Sequence, residues 1–237
     1  MRVPKYYLVK NEILQLTAGM EEGEAVPTER ELAERLDTSR TTVRQAIAEL
    51  VVEGRLERAQ GKGTFVAKPK LLSVRPLTSF SQNRQAEGER PGSVILDISQ
   101  VEAGREVAEG LGVEPGTLVQ RLERVRSVGD QPIAHEIAHL PRPLPDLQER
   151  LEQFGSLYLA LAEAYDSEIT TVEDVVETIL ADPVAANLLH VDTGLPLLLI
   201  HRTGWNARGE VVEWTRSAFR GDRFRFVARQ HLDMPVP

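Results

Sequence analysis

Apolar residues in the first quarter of the chain recur at helical spacing, in three separate runs. A first helical stretch opens at Pro4 and runs to Ala18 and Gly19. After an acidic loop, Pro27-Thr28-Glu29-Arg30-Glu31 gives a proline followed by a capping box. In that box Thr28 accepts from the amide three residues on and Glu31 reaches back to the Thr28 amide. Leu32 and Leu36 put one apolar stripe on this second helix, and Asp37-Thr38-Ser39 breaks it, with Ser39 or Thr38 able to cap a third. There Val43, Ala46, Ile47, Leu50 and Val51 fall at i, i+3, i+4, i+7 and i+8, which is one buried face. Gly54 suits the position just past the helix end. Arg55-Leu56-Glu57-Arg58 and Thr64-Phe65-Val66 then read as short strands around Gly61-Lys62-Gly63, a glycine-tipped hairpin.

Beyond Ala67-Lys68-Pro69-Lys70 the period changes. Segments 91–101, 117–128, 132–140, 169–180, 196–205 and 210–219 carry strand patterns, and 105–111, 157–165 and 183–189 carry helical ones. The expected fold class is α+β: a winged helix-turn-helix in residues 1–70, then a mostly antiparallel sheet with helices in 71–237. A length of 237 residues fits two modest domains.

Charge sharpens this division. Residues 1–70 hold 12 Lys and Arg against 11 Asp and Glu, whereas 71–237 hold 16 against 25, so a module of net +1 is joined to one of −9. All five lysines lie in the first module. What matters for phosphate is where the cations sit. The third helix, opposite its buried face, presents Arg40, Thr41, Arg44, Gln45 and Ala48. An arginine can pair bidentately with guanine O6 and N7, and a helix N-terminus suits phosphate. Double-stranded DNA is the partner this order of elements points to. The absence of cysteine excludes a disulfide framework, a thiolate metal site and a cysteine nucleophile. No apolar run is long enough to span a bilayer and Met1–Tyr7 lacks a signal-peptide pattern, so a cytoplasmic, nucleoid-associated protein is expected.

In the second module the informative strand is Leu118-Val-Gln-Arg-Leu-Glu-Arg-Val-Arg126. Its even positions place Arg124 and Arg126 on a face that begins with leucines. Inward charges are costly unless paired. Two readings fit, a structural ion pair and an anionic ligand. Ser156 precedes an apolar helical run, so its hydroxyl serves either as a helix cap alone or, with free amides and the Tyr158 hydroxyl, as a small anion site. The hairpin between Arg126 and Glu136 turns near Gly129-Asp130. A three-residue loop puts Glu136 on the arginine face, and a two-residue loop puts it on the other.

The first module, over residues 4–67, resembles the DNA-binding domain of the GntR family of bacterial transcription regulators. That resemblance assigns DNA contacts to Arg30, Ser39, Arg40, Thr41, Thr42 and Arg44, and a minor-groove probe to the wing tip Lys62-Gly63-Thr64. The second resembles the effector-binding UTRA domain of the HutC subfamily, whose fold is like that of chorismate lyase. The likeness extends to amino-sugar-responsive members, through Ser-Leu-Tyr (156–158), Val-Glu-Trp (212–214), Arg-Gly-Asp-Arg (220–223) and Phe-Val-Ala-Arg (226–229). It implies that Phe80, Ser81, Arg124, Ser156 and Tyr158 surround a phosphate and that Arg126, Glu136 and Glu213 face a sugar, glucosamine 6-phosphate or N-acetylglucosamine 6-phosphate. This sequence departs from those relatives at Phe219, where tyrosine is frequent, at Phe80-Ser81-Gln82-Asn83-Arg84, which replaces a more acidic stretch, and at His135, ahead of Glu136.

The expectation is a homodimeric repressor on a two-fold operator, responsive to a phosphorylated sugar, with no cofactor, no metal and no membrane partner. Three alternatives stand beside it: the same kind of regulator sensing another metabolite, a constitutive architectural DNA binder, and a lyase-like enzyme. Against the last, the sequence offers no nucleophile–base pair, no metal-spaced histidines and no glycine-rich phosphate loop.

Overall fold

In the computed structural model residues 4–59, 61–67, 71–73 and 91–227 are described. Their elements are α1 (Lys5–Thr17), α2 (Glu29–Arg35), α3 (Arg40–Val52), β1 (Leu56–Ala59), β2 (Gly63–Val66), β3 (Leu71–Ser73), β4 (Pro91–Glu102), α4 (Arg105–Leu111), β5 (Leu118–Val128), β6 (Gln131–Leu140), α5 (Leu147–Phe154), α6 (Leu157–Tyr165), β7 (Thr171–Leu180), α7 (Pro183–Leu189), β8 (Pro196–Trp205), β9 (Val211–Arg220) and β10 (Phe224–Phe226). They divide into two compact units. One takes the described residues up to Leu71 together with Gly221–Arg223, and the other takes the rest. The architecture is α+β.

In the first unit the apolar stripes of three helices meet. Val9 and Ile13 of α1, Leu32 of α2, and Val43, Ala46, Ile47 and Leu50 of α3 are buried together with Val26 and Leu56. The capping box forms as expected, with the Glu31 amide donating to Thr28 Oγ1 at 3.3 Å and the Thr28 amide to Glu31 Oε2 at 2.8 Å. Ser39 caps α3, accepting from the Thr42 amide at 3.1 Å. Past the end of α3, Gly54 takes φ 68°, a left-handed conformation glycine adopts without a Cβ penalty. Lys10 of α1 is buried and paired with Glu49 and Glu53 of α3, so its ammonium is neutralised where it leaves water. β1 and β2 pair antiparallel from Leu56↔Val66 to Ala59↔Gly63, and Val26 joins them through its amide to the Thr64 carbonyl at 2.8 Å.

The second unit is built on an antiparallel sheet of order β4-β5-β6-β9-β8-β7. Helices α5 and α6 pack Leu147, Leu151, Leu157 and Leu161 against Leu122, Ala138 and Leu140 on one face. On the other face, α7 packs on Leu197, Leu199 and Ala218, and α4 on Val119 and Trp214. Gly110 of α4 lies flat on the indole of Trp214, where an added Cβ would come within 2.3 Å of the ring. Gly110→Ala should therefore destabilise the protein by about 1–3 kcal/mol, the usual cost of overpacking, read as a lower urea midpoint with an unchanged slope.

The structure differs from the sequence reading in carrying α5, β3 and β10 and in the β5–β6 turn. The helical patterns of the sequence do not include α5. Its N-cap Asp146 sits in the left-handed region at φ 56° with no side-chain cap bond, and it follows Pro141, Pro143 and Pro145, which read as loop. The β5–β6 turn is the two-residue loop Gly129-Asp130, which by plain alternation would send Glu136 to the far face. Between Ser127↔Pro132 and Arg126↔Ala134, however, β6 inserts Ile133 as a bulge. The extra residue restores the phase, and Arg124 pairs with Glu136.

Candidate functional site

The exposed face of α3 carries Arg40, Thr41, Arg44 and Gln45, the residues its amphipathic pattern leaves outside. Thr42 is half-buried, and its Oγ1 lies 2.8 Å from Ser39 Oγ. Arg30 projects from α2 and pairs with Glu34 at 3.5 Å. At the wing tip Lys62 is exposed, between Gly61 at φ 72° and Gly63 at φ 120°, and Thr64 is half-buried behind it. Arg44 is not free in solvent. Its Nε and Nη2 donate to Glu29 Oε2 at 3.0 and 2.9 Å, and Arg58 of β1 donates to Glu29 Oε1 at 3.2 Å. Arg30, Arg40, Arg44 and Lys62 are thus exposed cations of the first unit, carried by α2, α3 and the turn between β1 and β2.

In the second unit the sheet register gathers a buried ionic cluster on the face covered by α5 and α6. Arg124 lies opposite Glu136, which lies opposite Ser217, and Arg126 lies opposite Ala134, which lies opposite Phe219. Glu213 and Thr215 alternate onto this face from β9, and Arg202 lies opposite Thr215 on one side and Asp174 on the other. Arg124, Arg126, Glu136 and Glu213 are all buried. Arg124 Nη2 donates to Glu136 Oε1, and Arg126 Nη1 is 4.0 Å from the same oxygen. One carboxylate oxygen thus serves two guanidiniums. Arg124 Nε and Glu213 Oε2 are buried without a hydrogen-bond partner among the described residues. A structural ion pair therefore exists, and it leaves hydrogen-bonding capacity of Arg124 and Glu213 unused in a buried site.

The electrostatics follow from this crowding. Burial pulls the Arg126 guanidinium down to about 10, and Arg124 adds to the pull, but it stays charged at neutral pH. Burial alone would raise Glu136, yet Arg124 and Arg126 outweigh it and hold the carboxyl below its ordinary range. Glu213 goes the other way, raised by burial and by the neighbouring Glu136 charge. Two carboxyls in one site thus have their proton affinities pushed apart.

Tyr158 of α6 belongs to the same cluster. Burial raises its phenol well above the ordinary value, and the charges of Glu213 and Glu136 act in the same direction. Arg202 Nη1 donates to the Tyr158 hydroxyl at 3.5 Å, while Nε and Nη2 fork onto Asp174 Oδ1 and Oδ2 at 2.6 and 2.8 Å. Ser156 is buried at the N-cap of α6, accepting from the Leu159 amide at 3.5 Å. Of the residues expected around a ligand, Arg124, Arg126, Glu136, Glu213 and Tyr158 come together, with Ser156 on the same helix as Tyr158. Phe80 and Ser81 lie outside the described residues. Phe219 is on the cluster's face and stacks on Phe224 with centroids 4.0 Å apart. His135 is on the opposite face, 2.6 Å from Glu123, and so does not reach the cluster.

Residues 6–66 match the family described as "Bacterial regulatory proteins, gntR family", and residues 86–225 match the UTRA domain. The protein belongs to the gntR family. Its N-terminal unit is the family's DNA-binding head and its C-terminal unit a UTRA domain, so it is a DNA-binding transcription regulator. It is 37% identical over 233 residues to the HTH-type transcriptional repressor NagR of Bacillus subtilis, covering 95% of this chain and 94% of that one. It is similar to the crystal structure of PhnF from Mycobacterium smegmatis at a TM-score of 0.66 and 34% identity, covering 94% of this chain and 99% of that one. A histidine utilization repressor of Pseudomonas aeruginosa is 34% identical over 206 residues, 86% of this chain and 81% of its own length.

Arg202 and Asp174 escaped the sequence reading. A basic and an acidic residue on strands β8 and β7 resemble any solvated pair, and only the order β9-β8-β7 puts them beside Thr215 and Tyr158. The available signal was Arg202 itself, an arginine two residues beyond the apolar run 197–200 on the same strand. A separate polar cavity of the same unit includes Arg142, Ser167 and Arg208 in its lining. Those side chains are already engaged, Arg142 with the Tyr165 carbonyl and Ser167, and Arg208 with Glu210. The Arg124 cluster is therefore the stronger site. No helix among the described residues is long and apolar enough to cross a membrane.

Proposed function

We propose that the protein is a homodimeric repressor in which residues 1–70 read a two-fold operator and residues 71–237 dimerise and bind a phosphorylated sugar, glucosamine 6-phosphate or its N-acetyl form. It acts in the cytoplasm, on double-stranded DNA, without a cofactor or metal. Arg30, Ser39, Arg40, Thr41, Thr42 and Arg44 carry the helix contacts, and Lys62, Gly63 and Thr64 the wing contacts. The observation that supports the effector reading is the single carboxylate oxygen of Glu136 shared by Arg124 and Arg126 beside the Tyr158 hydroxyl. A dianionic phosphate supplies an acceptor for Arg124 Nε, and the sugar's hydroxyls and amine suit Glu213, Thr215 and Ser217, all buried on the same face. Repression is supported by the names of the relatives. The ligand changes operator affinity only by binding one arrangement of the dimer better than another.

The histidine utilization repressors among the relatives support a second reading, in which the same cluster takes a different small anion. A panel of glucosamine 6-phosphate, N-acetylglucosamine 6-phosphate, glucose 6-phosphate, glucosamine and histidine separates the two by calorimetry on the full chain. The proposal requires that a phosphorylated amino sugar binds, that unphosphorylated glucosamine does not, and that the binding shifts DNA affinity. Binding of histidine alone would establish the second reading, and heat from product formation would establish an enzyme.

A further inference from the structure

Glu29 stands among cations. It is the first residue of α2, yet its carboxylate receives Arg44 from α3 and Arg58 from the wing strand, and the charge of Arg40 acts on it as well. The Arg44 and Arg58 side chains are 65% and 41% exposed, so as a source of stability such surface pairs are worth little. Their geometry has another consequence. A guanidinium has five N–H donors. Arg44 commits its Nε proton and one Nη2 proton to Glu29, and this leaves the end-on fork of Nη1 and Nη2 intact. That fork is the pair of donors that fits guanine O6 and N7.

We infer that Glu29 is a positioning residue for base recognition, holding the Arg44 guanidinium by its Nε edge so that its end-on fork meets a base, and tying that arginine to the wing through Arg58. The inference rests on the reading of Arg44 as a DNA contact. An untethered arginine samples many rotamers and finds phosphates as readily as bases, whereas a tethered one is pre-organised. A carboxylate in the middle of this surface also repels phosphate. It weakens sequence-independent binding while leaving the specific contact in place.

The test uses the full chain, the duplex most enriched by wild-type protein from a randomised pool, and poly(dI–dC) as the non-specific competitor. Glu29→Gln keeps the shape and removes the charge. The ratio of affinities, selected duplex over poly(dI–dC), should fall about tenfold, with poly(dI–dC) itself bound more tightly. Glu29→Asp keeps the charge on a shorter arm and should recover part of the ratio. In an Arg44→Ala background, Glu29→Gln should lower the ratio no further, because its route is gone. An unchanged ratio in Glu29→Gln overturns the inference, as does an equal loss on both DNAs, which would mark Glu29 as scaffold alone. Wild-type discrimination by Arg44→Ala overturns the Arg44 reading and this inference with it, so the two failures are told apart.

Discussion

Arg124→Ala should abolish sugar-phosphate binding, lowering affinity by at least about a hundredfold, as expected for removing one partner of a buried charge-assisted contact. Arg124 is 4% exposed and its Nε has no partner among the described residues, so it meets an anion without first shedding much water. Hydrogen bonds to charged groups gain most where the surroundings are dry. Alanine also removes one of the three guanidiniums, Arg124, Arg126 and Arg202, whose charges act on Glu136, which turns the local charge against a dianion. Arg124→Lys separates the two contributions, since it keeps the charge and loses the planar fork. An intermediate loss is expected. Calorimetry with glucosamine 6-phosphate on both variants is the measurement, with thermal unfolding run alongside to confirm the fold. Apo DNA affinity should be unaltered. If Arg124→Ala binds the sugar phosphate like wild type, the cluster is not the effector site.

Much of this was legible because it is local. The helices at Arg105–Leu111, Leu157–Tyr165 and Pro183–Leu189 and the strand Pro196–Trp205 have the bounds their periodicity gives, since burial on one face fixes an amphipathic period directly. The Ser39 cap and the Thr28–Glu31 box are contacts over three residues, written in the sequence. The buried ionic cluster was half legible. Arg124 and Arg126 announce themselves as cations on an apolar face, but the partner that meets Arg124 depends on the Ile133 bulge, a one-residue event that no propensity marks. Asp174 and Arg202 depend on strand order, and strand order is a property of long-range pairing. The pattern places Arg44 on the exposed face of α3, whereas its tether to Glu29 needs the angle between α2 and α3 that the shared core sets.

Glu136→Ala should cost about 3–5 kcal/mol of unfolding free energy at neutral pH, because it leaves two guanidiniums in the interior without their shared acceptor. Both arginines are under 5% exposed, so water cannot take over. The pH dependence has a definite sign. Arg124 and Arg126 depress the Glu136 carboxyl, so its contribution is complete above the ordinary glutamate value, near 4.3, and is lost as pH falls through the lower folded value. The deficit of Glu136→Ala relative to wild type should therefore be full at pH 7 and shrink below about pH 4. Glu213 is the control of opposite sign. Its folded value is raised, so its contribution is present at low pH and is lost as pH rises from the ordinary value toward the raised one, and Glu213→Gln should gain stability at neutral pH. An anion filling the gap between the arginines should rescue Glu136→Ala. A ligand at a hundred times its dissociation constant adds about 2.7 kcal/mol, so inorganic phosphate should raise the variant's unfolding midpoint more than that of wild type. Urea unfolding at pH 7 and at pH 3.5, with and without phosphate, measures all three effects. A Glu136→Ala midpoint equal to wild type at pH 7 would mean that the two guanidiniums find other acceptors, and the anion-binding account of the cluster would fall with it.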